Sequence, residues 1–120
     1  MTVNKKIWLW VDDLREVDSA WQVAADDNVE CVCIRTYDQA ATFIVEHWNS
    51  IERISLDHDL GDKNDLKNGY QLACIIEDLA HTNGNRPKFL SAHSANPPGW
   101  AKINAALDTV RANIHALTAS

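Results

Sequence analysis

Basic residues are scarce in this chain: 11 lysines and arginines stand against 17 aspartates and glutamates, for a formal net charge of −6. A broad grip on duplex nucleic acid needs a basic face, so broad duplex DNA binding is excluded; a small nucleotide or an RNA end held at one local site is not. No apolar run approaches the length of a membrane span, and no signal-peptide pattern opens the sequence. The expectation is a cytoplasmic protein without a membrane partner. Cysteine occurs three times, an odd count with no Cys-x-x-Cys pair and no further ligands at zinc spacing. Cys31, Cys33 and Cys74 are therefore expected to be free thiols packed in the core. Internal repeats, linkers and low-complexity segments are also missing, which leaves a single domain over 1–120.

What is present clusters around Ile54-Ser55-Leu56-Asp57-His58-Asp59-Leu60-Gly61. A short apolar run breaks into three titratable groups and a glycine, the pattern of a buried strand whose carboxyl end reaches a functional edge. Strands are predicted over 7–11, 30–35, 53–59 and 88–92. Between them, Asp18 or Ser19 caps a short helix carrying Trp21, Ala24 and Ala25. Thr36-x-x-Gln39 forms a capping box before Ala40, Phe43, Ile44, His47 and Trp48 at helical spacing. A third helix carries Tyr70, Leu72, Ala73, Ile76, Leu79 and Ala80 and stops at Asn83-Gly84-Asn85. The last runs through Ile103, Leu107, Val110 and Ile114.

Strand and helix alternate four times, which implies a parallel sheet with helices on both faces. In a flavodoxin-like order 2-1-3-4, Asp12-Asp13, Asp57-His58-Asp59 and His93-Ser94 meet at the carboxyl edge of adjacent strands. Asp12, Asp13, Asp57 and Asp59 are candidate ligands of a divalent metal, magnesium or manganese before zinc. His58 and His93 are candidate acid and base, with an ordinary pKa near 6.5 that suits both tasks. Arg15 offers a fork of donors to a phosphate. Asn96 caps the last helix with Pro97 in its first turn, so the amides of Gly99 and Trp100 are its first free donors and a candidate anion site. Ser94 and Asn96 join that phosphate-binding set. The loop 61–69 is a solvated connector or a cover, with Lys63 or Lys67 within reach of an anion.

Asp12-Asp13, Asp57 and Ser91-Ala92 resemble response-regulator receiver domains, in which the acids bind magnesium and the aspartate accepts a phosphoryl group. The chain departs from them by lacking a fifth strand and its terminal lysine. The closer resemblance is to the cyclic-phosphate processing receiver-like domains, divergent relatives of the receivers. It rests on Asp12-Asp13-Leu14-Arg15, Leu56-Asp57-His58-Asp59-Leu60-Gly61, Gly69-Tyr70 and His93-Ser94-Ala95-Asn96-Pro97-x-Gly99. That resemblance implies a receiver-like three-layer α/β sandwich. The implied activity is a phosphoesterase processing cyclic phosphates on nucleotides or RNA ends, and the residues' own chemistry makes His58, His93 and Asp57 the candidate catalytic groups. The alternative is an inactive receiver-like module that binds a nucleotide or a partner protein. An open sheet edge could also pair with a second copy as a homodimer.

Overall fold

In β1 (Lys6–Val11), every residue after the lysine is buried, and such a run belongs in the middle of a covered sheet. The computed structural model describes residues 5–61, 67–94 and 96–119. β1 pairs in parallel with β2 (Val29–Ile34) on one side and with β3 (Ile51–Leu56) on the other. β3 in turn pairs in parallel with β4 (Phe89–Ala92), giving the order β2-β1-β3-β4 expected from the sequence.

Alternation along each strand divides the interior in two. Ile7, Leu9, Val11, Ile54, Leu56 and Leu90 face the larger core. There they meet Ala40 and Ile44 of α2 (Tyr37–Glu46), Leu72 and Ile76 of α3 (Gly69–Asn83), and Ile103 and Leu107 of α4 (Pro97–Ala119). Each fully buried leucine or isoleucine among them contributes roughly 1.5–3 kcal/mol of apolar burial. On the opposite face Trp8 and Trp10 close over Trp21 of α1 (Ser19–Ala24), edge to face at 5.9 and 5.3 Å. Six residues of α1 therefore do the covering there, against three longer helices on the other side. Cys31 and Cys33 pack against the tryptophans, and all three cysteines are free.

Local signals place the helix boundaries. Asp18 accepts from the Ala20 amide at 2.7 Å and Thr36 from the Gln39 amide at 3.3 Å, as the capping pattern requires. Gly84 ends α3 with φ at +70°. Two boundaries differ from expectation. α2 stops at Glu46, and Trp48 instead opens a 3₁₀ turn (Trp48–Ser50) that leads straight into β3. β3 consequently starts at Ile51 and ends at Leu56, before the titratable triplet. The side chain of Ile114 lies outside the described residues. Among the described residues no helix is long and apolar enough to cross a membrane.

Candidate functional site

β1, β3 and β4 each add one ladder bond beyond their ends. The Asp12 amide donates to Ile34 at 3.1 Å, the Asp57 amide to Val11 at 2.9 Å, and the His93 amide to Leu56 at 2.9 Å. These bonds hold Asp12, Asp57 and His93 side by side at the carboxyl edge, as the strand order predicts. Asp12 is only 1% exposed. Its Oδ1 accepts from the amides of Leu14 and Arg15, both at 2.8 Å, and turns the chain away from the strand. Its Oδ2 lies 3.1 Å from His93 Nε2.

His93 uses both ring nitrogens. Nδ1 is 2.6 Å from Ser55 Oγ, and the ring stacks on Trp10 with centroids 3.6 Å apart. A carboxylate only accepts, so Nε2–H donates to Asp12 and Nδ1 accepts from the Ser55 hydroxyl. Burial pushes the His93 pKa down and Arg15 adds to that, against the opposing pull of Asp12. The imidazole is a neutral clamp with no lone pair or proton to spare. Its partners went unnoticed in the sequence. Trp10 precedes Asp12 by two and Ser55 precedes Asp57 by two, so strand alternation alone puts all four on one face.

Asp57 carries the opposite shift. Burial pushes its carboxyl up to about 6, and the Asp12 charge adds to it, with Asp13 a smaller contribution. The Ser94 hydroxyl and the His58 amide donate to it and limit the rise. Asp12, Asp13 and Asp57 each offer an oxygen within 4.8 Å of the other two. A pocket of about 180 Å³ opens over them, lined also by Leu14, Arg15 and Asp59. Hard oxygen donors crowded at mutual cost fit a magnesium or manganese ion better than they fit each other. Asp59 sits on the rim, paired with His58 Nδ1 at 3.0 Å and outside the three-acid cluster.

Several expected site residues have other employment. His58 is buried with its ring beneath Gly99, where any Cβ would overlap its Cγ. Neither His58 nor His93 lines the acidic pocket, so an acid–base pair of histidines does not meet there. The smallness of Gly99 serves the packing of His58, not the approach of an anion. Its amide donates to Asn96 Oδ1 at 3.2 Å, and the Trp100 amide donates to the Asn96 carbonyl at 2.9 Å. Asn96 thus consumes both donors that an anion at the α4 start would have used. Gly69 is fixed in the same way: its amide donates to the His58 carbonyl at 2.9 Å, and a Cβ there would overlap the Asp57 carbonyl. Lys67 pairs with Asp38 at 3.2 Å, and Lys63 lies outside the described residues. Of the phosphate-binding set, Arg15 lines the pocket and Ser94 touches Asp57.

A family model described as the cyclic-phosphate processing receiver domain matches residues 7–109. No curated protein and no solved structure matches the chain.

Proposed function

The chain belongs to the cyclic-phosphate processing receiver domains, and from that premise we propose that it is a metal-assisted phosphoesterase opening cyclic phosphates on nucleotides or RNA ends. The observation that carries this reading is the trio of carboxylates within 4.8 Å of one another, in a pocket that Arg15 also lines. Asp12, Asp13 and Asp57 would hold a magnesium or manganese ion. When bound, such an ion polarises a phosphoryl oxygen and eases the loss of a proton from water.

The protein's own groups do the rest. Asp57 offers one oxygen to the cluster, and its second oxygen takes a proton from the attacking water. The water oxygen bonds to phosphorus as the bond to one ribose oxygen breaks, and that oxygen is protonated from solvent at the pocket mouth. Arg15 meets the charge that grows on the phosphoryl oxygens. Ser94 orients Asp57, and the His93 clamp holds Asp12 in line. His93 is a positioning residue in this scheme.

One observation favours the inactive binding module instead. The pocket of about 180 Å³ is smaller than the usual small-molecule site. Hydrolysis of 2′,3′-cyclic nucleotides and of cyclic-phosphate-ended RNA, with and without chelator, decides between them. The expected result is turnover that is lost with chelator and in Asp57→Asn. Turnover that survives chelator would overturn the metal-assisted scheme. Binding without turnover of any substrate would select the module.

A further inference from the structure

The receiver-like sheet has an outer face beyond α1, and there the charge balance of the molecule reverses. Arg53, Arg86, Lys88 and Arg111 converge on a groove of about 440 Å³ along β4, together with Phe89 and Ser91. Among the described residues Arg53, Arg86 and Lys88 form no ion pair, while Arg111 pairs with Asp108 at 2.6 Å. Glu52 lies near Lys88 but is already held by Lys6 at 2.9 Å and by the Trp8 indole at 3.0 Å. In a chain of net charge −6, a groove lined by four cations and by no acid is a local exception.

Phe89 sits at the centre and is 44% exposed. The Arg53 guanidinium lies 4.6 Å from its centroid and the Lys88 ammonium 5.5 Å. Arg53 is further pinned over Trp8 at 4.5 Å, and its buried Nε has no partner. Arg86 is braced by the carbonyls of Pro87 and Lys88 at 2.8 and 3.1 Å. A ring 44% exposed, with the Arg53 and Lys88 cations over it, offers a base an aromatic contact and its phosphates positive charge at one place. An acidic peptide would use the cations but has no need of the ring.

We propose that this β4 groove binds the backbone and bases of a single-stranded polynucleotide. Its relation to the acidic pocket rests on the function proposed above; the groove itself does not. Arg53, Ser55 and Asp57 alternate on one face of the third strand and its extension, as Phe89, Ser91 and His93 do on the fourth. The four residue steps from Arg53 to Asp57 span about 13 Å. A strand whose cyclic end occupies the pocket would therefore lie back over Phe89, which makes RNA ends the favoured substrates over mononucleotides.

The test is equilibrium binding of a fluorescent single-stranded oligoribonucleotide with a plain 3′-hydroxyl, so that no hydrolysis is involved. Binding should weaken steeply with salt. Lys88→Gln should lower the slope of log K against log salt by about 0.7. Phe89→Ala should cost on the order of tenfold in affinity. Both side chains are exposed, and circular dichroism verifies that each variant is folded. Turnover of a cyclic mononucleotide should stay unchanged in both variants, while turnover of cyclic-ended RNA falls. No binding at low salt, or binding indifferent to both substitutions, overturns the groove whatever the hydrolysis assay gives. Equal affinity for polyglutamate would overturn the polynucleotide in favour of an acidic protein partner. Intact binding with no turnover of anything leaves the groove standing and removes the enzyme.

Discussion

Asp57 and His93 lie on the same sheet edge and respond to burial in opposite senses, because burial favours whichever form is neutral. Asp57 has a folded pKa of about 6 against an ordinary 3.8, so the folded state holds its proton more tightly than the unfolded chain does. Its contribution to stability is full below about pH 4 and is lost as pH rises through 6. His93 is shifted down, so its contribution is full above 6.5 and lost as pH falls below that. The two slopes have opposite sign and partly cancel in the native protein just below pH 6, where both groups contribute. Asp57→Asn removes one of them. After discounting for solvent screening at a half-buried group, the gain at pH 7 is about 1 kcal/mol, or roughly 4 °C in Tm. The variant should also lose stability steadily on acidification from pH 6.5, where the native protein is flatter. Thermal melts across pH check both; a native-like profile for Asp57→Asn would contradict the origin assigned to the shift. Magnesium at pH 7 should raise the Tm of the native protein more than that of the variant, since only the native chain offers all three carboxylates.

The start of α4 separates two kinds of residue that look alike in the sequence. Asn96 and Gly99 belong to a motif that reads as an anion cradle, yet each is committed within the protein. Asn96→Ala removes the side-chain acceptor of the Gly99 amide and should cost about 1 kcal/mol in urea denaturation. Gly99→Ala drives a methyl into the His58 ring and should cost about 1–3 kcal/mol. His58→Ala should relieve part of that second penalty and none of the first, because only the ring competes with the methyl. Neither Asn96→Ala nor His58→Ala should change the KM for a cyclic phosphate once folding is accounted for. A large KM effect of Asn96→Ala would restore the anion site that the observed capping bonds replace.

Across the whole molecule, the fold was legible because local and global signals agree. Alternating Ile7, Trp8, Leu9 and Trp10 define two buried faces, and capping residues at Asp18, Thr36 and Asn96 start three of the helices. The acidic half of the site was legible too, since strand order alone brings Asp12, Asp13 and Asp57 together. What escaped were directions of side chains past the strand ends. β3 stops at Leu56, and spacing does not reveal that His58 then turns under α4 or that His93 reaches back to Trp10. The basic groove escaped for another reason: Arg53, Arg86, Lys88 and Arg111 come from β3, the β4 approach and α4, and only tertiary structure sums their charges.

That same grouping bears on self-association. β4 borders the sheet, and an unguarded edge invites a second copy. Arg111 of α4 donates to the Leu90 carbonyl and so occupies an edge acceptor that a partner strand would need. Two copies meeting there would also bring eight cations together, since each supplies four. The β4 edge is therefore guarded by the means natural sheets use, a charge and a covering side chain. Sedimentation at high protein concentration should show a monomer. Arg111→Ala, which frees the carbonyl and removes one charge, should shift the protein toward dimers, more so at high salt where the remaining cations are screened. A stable native dimer broken by substitutions in β4 would reverse the argument, and β4 would then be a pairing edge rather than a guarded one.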